Sequence, residues 1–178
     1  MDLVDIIAEK RFLGQEFVTW LWYKSEERGG AIDIPGMGDV VVVFEKHMLL
    51  ESGEGDSREK VICQGLQAEL TEARTGLRMG KKLEQARILL GRGEYEWNLT
   101  IRASMFDLKS VKTPKTMATS EESDAPDAVE GRLLEKISLY EQALGFVDEL
   151  FRMYLKTRFS NAWETELPKV RAWINIKE

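Results

Sequence analysis

Residues 94 to 101 alternate strictly between polar and apolar side chains. Tyr95, Trp97, Leu99 and Ile101 take every second position, and glutamate, asparagine or threonine fills the positions between them. Successive side chains of a β-strand point to opposite faces, so this pattern is typical of a strand with one face in the core. The segment therefore predicts a half-buried strand, in a sheet that is packed against a second layer on one side.

Other segments predict further strands. Residues 40–44 (VVVVF) form a β-branched run that predicts a strand buried on both faces, because such runs are typical of strands with no solvent-facing side. The turn residues 33–38 precede it. Shorter strands are predicted at 47–51, at 60–63, before the turn Gly91-Arg92-Gly93, and at 108–111.

Helical spacing marks the rest of the chain. Residues 2–28 predict a first helix, bent or broken at Gly14, and residues 66–79 a second helix with Gly80 as its C-cap. A long helix begins at Val129, and a last one covers 160–174, with Pro168 as a kink or break. These elements predict an α+β fold: an antiparallel sheet of about five to six strands, packed with an N-terminal helix and long C-terminal helices.

The order of the elements predicts a domain organisation. Residues 1–115 form an α+β domain, 116–128 an acidic and polar linker, and 129–178 a C-terminal helical segment. That segment either packs on the domain or forms an oligomer interface. Its apolar residues follow a heptad-like seam with 4-3 spacing, and a second row (Leu139, Phe146, Leu150, Met153) widens the apolar face; the seam comprises Leu133, Ile137, Tyr140, Leu144, Val147, Phe151 and Tyr154.

The sequence lacks the combinations of histidine and cysteine residues on which many catalytic sites depend. His47 is the only histidine and Cys63 the only cysteine, so multi-histidine metal sites, triads and intramolecular disulfides are excluded. We predict no cofactor and no enzymatic activity. The N-terminus lacks a basic start, and no apolar run approaches the roughly 20 residues of a membrane helix, so we expect a cytoplasmic protein with no membrane partner.

Positive charge is concentrated in the central third of an acidic chain. The formal net charge is −6, yet residues 58–115 contain twelve basic and seven acidic side chains, an excess of five positive charges. Arg74, Arg78 and Lys81 have the spacing of one helix face, and Lys82 follows them. Such a stripe either follows a phosphate backbone or is a solvated helix face neutralised by neighbouring glutamates.

The order of the segments resembles a known family. A first aromatic helix (FLGQEFVTWLWYKSE) is followed by HMLLESGEG, by the helix LTEARTGLRMGK, and by LEQARILLGRGEYEWNLTIRASMFDLKSVKTP before a leucine-rich helix. Over roughly residues 15–175 this order resembles the C-terminal half of the recombination-associated protein RdgC family. The chain is much shorter than full-length members of that family.

The resemblance implies a non-enzymatic protein that binds duplex DNA without sequence preference, associates with recombination, and forms a ring-shaped homodimer that restrains a recombinase. In that family, the half to which this sequence shows no resemblance helps to close the ring. The DNA-binding residues implied are Arg74, Arg78, Lys81, Lys82, Arg87, Arg102, Lys109 and Lys112.

Two alternatives remain open. The chain can be a structural or protein-interaction module that keeps the fold without binding DNA. A weaker alternative is a Mg²⁺-dependent nuclease, in which Asp107 and Lys109 act with Asp39 or Glu96.

The tryptophans divide into predicted core residues and a candidate interface residue. Trp20 and Trp97 lie on apolar faces and are predicted to be core residues. Trp22 lies off the main stripe of its helix, and we predict it as a candidate interface residue.

Overall fold

The computed structural model describes residues 2–27, 29–53, 57–64, 69–115 and 126–176. Within these ranges the chain forms helices and strands in the order α1 (Leu3–Glu27), β1 (Ala31–Ile34), β2 (Gly38–Ser52), β3 (Glu59–Gln64), α2 (Glu69–Arg78), β4 (Lys82–Arg92), β5 (Tyr95–Arg102), β6 (Asp107–Lys112), α3 (Pro126–Arg158) and α4 (Ala162–Ile174).

The six strands form one antiparallel sheet in the order β1-β2-β4-β5-β6. β3 pairs with the second half of the long strand β2, along the edge that β1 occupies beside its first half. The predicted α+β fold is therefore confirmed, with an N-terminal helix and long C-terminal helices.

β2 replaces the two separate strands predicted at 40–44 and 47–51. It is continuous over 15 residues, and its pairing with β4 shifts between Phe44 and Met48. A β-bulge of this kind bends a strand without ending it, so the polar residues of the bulge resemble a loop in the sequence. The first strand, β1, falls partly in the segment predicted as a turn.

One face of the sheet carries the core. Side chains such as Val42, Ile88 and Leu99 are buried in one cluster with Phe17 of α1 and Phe146 of α3. The opposite face, which we call the open face, has no described helix over it. Val41 and Val43 are 39% and 47% exposed there, so the prediction that residues 40–44 are buried on both faces is wrong.

Gly14 lets α1 approach the turn between β5 and β6. A Cβ atom on Gly14 would lie 1.9 Å from the carbonyl oxygen of Ala103. The helix continues through this position from Leu3 to Glu27, so the prediction of a break at Gly14 is wrong. The glycine is required by packing and not by helix termination.

Gly80 ends α2 as predicted. Its φ angle is +85°, the left-handed conformation that glycine adopts without strain. The Gly80 N–H donates to the Leu77 carbonyl, and the Lys81 N–H donates to the Gly76 carbonyl, both at 3.0 Å. These two bonds form the Schellman motif that closes many helices.

α3 packs on the domain mainly with the row beside the heptad seam, and towards its C-terminal end it also packs with the seam itself. The buried residues of α3 are Leu139, Ala143, Phe146, Leu150 and the seam residue Tyr154, and the seam residues Val147 and Phe151 pack partly buried against the core. Within the seam, Leu133, Ile137, Tyr140 and Leu144 stay 41–57% exposed. α4 continues through Pro168 without interruption, so the predicted break there is wrong.

The predicted linker is described only at its end. Residues 116–125 lie outside the described residues, and α3 begins at Pro126, so positions 126–128 of the predicted linker are helical.

Candidate nucleic-acid interface

The eight cationic residues predicted from the sequence divide into two groups in the fold. Arg87, Arg102, Lys109 and Lys112 lie on strands β4 to β6, and their register places them on the open face of the sheet. Arg74 and Arg78 lie on α2, Lys81 lies in the turn that follows it, and Lys82 is the first residue of β4.

A bulge in β6 brings two lysines to the same side. Lys109 pairs with Thr100 and Lys112 with Asn98, so β6 uses three residue steps where β5 uses two. Side chains three residues apart in a regular strand would point to opposite faces. The extra residue, together with the positive φ of Ser110 (54°), restores the alignment. Both lysines are exposed, and neither forms an ion pair with a residue that the structure describes.

The two arginines of the open face are partly neutralised. The Nε atom of Arg87 lies 2.7 Å from Glu45 Oε2 and donates a 2.7 Å hydrogen bond to Asn98 Oδ1. Arg102 Nε donates to Asp107 Oδ1 at 2.7 Å, and this hydrogen bond raises the pKa of the Arg102 guanidinium. At each guanidinium, a carboxylate therefore competes with any anionic ligand.

The solvent-facing stripe expected on α2 does not form. Arg74 is buried, and its Nη2 atom donates to Glu26 at 2.9 Å. The guanidinium carbon lies 5.9 Å from the ring centroid of Trp22 and 5.1 Å from that of Trp173. Helical spacing alone favoured an exposed Arg74, but the aromatic residues of α1 and α4 cover that side of α2.

The other members of this group are divided between internal partners and solvent. Lys81 Nζ lies 2.9 Å from Glu59 and 3.2 Å from Ser52 Oγ, and 13% of its side chain is exposed. Arg78 donates to Thr75 Oγ1 at 2.7 Å. Lys82 is exposed and lines a depression together with Arg11 and Arg58. Arg74 and Lys81 thus have carboxylate partners inside the molecule.

Trp22 was predicted as an interface residue, and the structure contradicts this. Its side chain is 1% exposed, stacks near Phe44, and donates its indole N–H to Glu26 at 2.8 Å. Trp20 and Trp97 are buried, as predicted.

Sequence reasoning missed two polar members of the open face, Asn98 and Thr100. Both stand between the cations of neighbouring strands. The alternation of residues 94–101 already places both side chains on the solvent side of the strand. This pattern was the signal that could have identified them as members of the open face.

The described part of the chain contains no metal site of the kind that the nuclease alternative requires. No group of three or more His, Cys, Asp or Glu side chains is placed there to hold an ion. Asp107, the proposed metal ligand, instead accepts from Arg102.

Cys63 is buried on β3. Among the described helices, none has both the length and the apolar content needed to cross a bilayer.

No protein-family model, curated protein or solved structure matches this chain. The likeness to the RdgC family consequently rests on the order of the segments alone.

Proposed function

We propose that the protein binds duplex DNA without sequence preference, and that the open face of the sheet is the contact surface. The observation that carries this proposal is the position of Lys109 and Lys112, two exposed lysines that the β6 bulge aligns on one face with Arg87 and Arg102. The proposal narrows the sequence-based set from eight residues to these four. The others lie on α2 or directly after it, where Arg74 is buried and Lys81 is paired with Glu59.

The chemistry of this surface suits a phosphate backbone. Lysine and arginine that pair with phosphates release condensed counterions, which gives affinity without reading bases. Thr100 adds a hydroxyl donor between the cations, and such side chains contact phosphate oxygens in DNA complexes. The amide of Asn98 connects Arg87 and Glu45, accepting from the first and donating to the second. Glu45 and Asp107 lower the net charge of the face, so we expect weak binding that depends strongly on salt.

The wider proposal follows the family resemblance. It describes a non-enzymatic, cytoplasmic protein of DNA recombination, with a second copy of the chain and a recombinase as partners. The order of the sequence segments supports these finer points. The positions of specific residues on the open face support the DNA contact.

A mobility-shift titration with random-sequence duplex tests the DNA contact. We expect a shift at about 50 mM salt that weakens steeply towards about 200 mM. Replacing both Lys109 and Lys112 with alanine should reduce the slope of log K against log salt by about two, since each phosphate contact contributes about 0.9.

The matched control replaces two exposed lysines of the helical layer, Lys156 of α3 and Lys169 of α4, with alanine, which removes the same charge. An equal loss in both double variants would mean that net charge, and not this face, governs binding. A folded wild-type protein that fails to shift DNA at about 50 mM salt would end the proposal.

A protein-interaction module is the second candidate. Its support is the pairing of Arg74, Lys81, Arg87 and Arg102, half of the predicted cations, with Glu26, Glu59, Glu45 and Asp107. A module of this kind would leave DNA unshifted at every salt concentration while remaining folded, and the same titration therefore separates the two candidates.

A further inference from the structure

The N-terminal part of α3 extends beyond the core. None of residues 126–138, which we call the arm, is buried, and Leu139 is the first buried residue of the helix. The arm carries an exposed apolar row: Val129 is 48% exposed, Leu133 57% and Ile137 46%. An exposed apolar helix face of this length marks an interaction surface, since most helical stability in proteins comes from packing such a face.

The row continues into a groove on the body of the protein. The groove has a volume of about 670 Å³ and is lined on one side by Tyr140, Leu144, Val147 and Phe151 of α3. Phe17 of α1 and the β5–β6 turn line the other side, including Phe106, which is 40% exposed. The projecting row and the groove therefore form one strip along a single helix.

We infer that the occupant of this strip is a second copy of the chain, paired antiparallel along α3. A two-fold symmetry axis that passes beside residue 142 of both copies places Tyr140 opposite Leu144 of the other copy. The same axis places Ile137 opposite Val147 of the other copy. It also places Leu133 opposite Phe151, because the members of each pair lie equally far from the axis. Each arm then fills the groove of the other copy.

This arrangement gives a closed, self-complementary interface. A two-fold pair uses the same patch on both copies. The exposed row of each copy therefore packs into the groove of the other, and no further partner is needed. An open arm on a monomer would leave its apolar row in water. The polar segment 116–125 that precedes α3 has one large apolar residue, Met117, and offers little apolar surface to cover the row.

The size of the strip suits a modest but specific association. From Val129 to Phe151 the helix is about 33 Å long, and a face 10–12 Å wide covers on the order of 350 Å² per copy in projection. The two copies together therefore cover about 700 Å² in projection, to which the partly exposed Phe106 of each groove adds. The pair thereby approaches the roughly 1,000 Å² of a specific interface, as expected for a weak association.

The inference concerns a different surface from the proposed DNA contact: Arg102 and Asp107 border the groove, but Lys109, Lys112 and Arg87 of the open face do not line it. Loss of self-association and loss of DNA binding can therefore be measured separately. Lys109 and Lys112 variants should keep the dimer.

Sedimentation of the full chain tests the inference. We expect a species of twice the 20.4 kDa chain mass, and a monomer when Leu133→Glu and Ile137→Glu are combined. The matched control is Met79→Glu, which changes a 74% exposed residue outside α3 and should leave the dimer intact. A wild-type protein that stays monomeric up to about 100 µM, or a double variant that still dimerises, would overturn the inference.

Cross-linking tests the antiparallel direction in a variant that keeps the row. In an antiparallel pair the two copies of Glu141 lie beside the axis on the same side, whereas a parallel pair separates them across the seam. A short bis-maleimide should therefore link Glu141→Cys into dimers, and it should not link Gln142→Cys, which faces away from the strip. Linking of both variants, of Gln142→Cys alone, or of neither overturns the antiparallel pairing.

Discussion

The indole N–H of Trp173 donates a 2.6 Å hydrogen bond to the carboxylate of Glu26. The same carboxylate accepts from Trp22 at 2.8 Å and from Arg74 at 2.9 Å. One glutamate near the end of α1 thereby joins α1, α2 and α4. Arg74 contributes as a cation beside two indole rings that contact each other, which is a structural use of a residue that the sequence suggested for DNA binding.

Replacing Glu26 with alanine should destabilise the fold. The change leaves the buried guanidinium of Arg74 and two indole N–H groups without this acceptor. Loss of one partner of a fully buried ion pair costs about 3–5 kcal/mol, and partial exposure of Glu26 lowers the expected cost to about 2 kcal/mol. Urea unfolding measures it. Glu164→Ala, at an exposed site on α4, should change stability by less than about 0.5 kcal/mol.

Gly14→Ala should destabilise the protein although alanine favours helices. Helix propensity alone predicts a gain of about 1 kcal/mol. The new Cβ would meet the Ala103 carbonyl oxygen, and separating α1 from the turn should cost about 2–3 kcal/mol, so the clash decides the sign.

Gly131→Ala is the control for Gly14→Ala. Gly131 lies within α3, and its Cβ would meet nothing within 4 Å. This variant should gain stability by about 0.5–1 kcal/mol. A melting temperature that rises in both variants would contradict the close approach of α1 to Ala103.

Stability should fall with rising pH above about 10, and Tyr23 should account for part of this loss. Burial, and then its hydrogen bond to Glu27, raise the pKa of Tyr23 from 10.0 to about 12. The folded state then holds a proton that the unfolded chain releases, so the contribution is complete below pH 10 and disappears as pH rises from 10 to 12.

Tyr23→Phe isolates this contribution. The free energy of unfolding of the variant should decline less between pH 10 and pH 12 than that of the wild type. Parallel curves for the two proteins would contradict a raised pKa at this tyrosine. Burial also raises the pKa of Tyr154, which donates to Glu16, so some decline should remain in the variant.

Ser110→Val should weaken DNA binding by opposing the bulge of β6. A β-branched residue disfavours the positive φ of this position, and regular pairing of Lys109 and Lys112, three residues apart, would turn one of the two lysines away from the open face. A mobility shift at about 50 mM salt should show the loss. Ser110→Gly keeps the bulge and suits its positive φ, so the affinity of this variant should match that of the wild type.

Local patterns in the sequence predicted much of the fold. The alternation of residues 94–101 identified β5, and Gly80 identified the end of α2, because both signals depend on neighbouring residues. The continuous β2 was missed, since a bulge of polar residues between Phe44 and Met48 looks like a loop.

The candidate site was harder to predict because it depends on distant contacts. Arg74 became a core residue through Glu26 and Trp173, 48 and 99 positions away along the chain. The alignment of Lys109 with Lys112 depends on pairing with β5. In α3 the sequence carries two apolar rows, and only the shape of the sheet decides which row enters the core.

The placement of every described helix on one side of the sheet has an evolutionary consequence. Alternate residues of β4, β5 and β6 face outward, so substitutions at these positions leave the inner packing intact. Selection can thus rewrite the chemistry of that outer surface, from cationic to acidic or apolar, while the scaffold beneath is inherited unchanged. Two chains with the same architecture can accordingly differ completely in what they recognise.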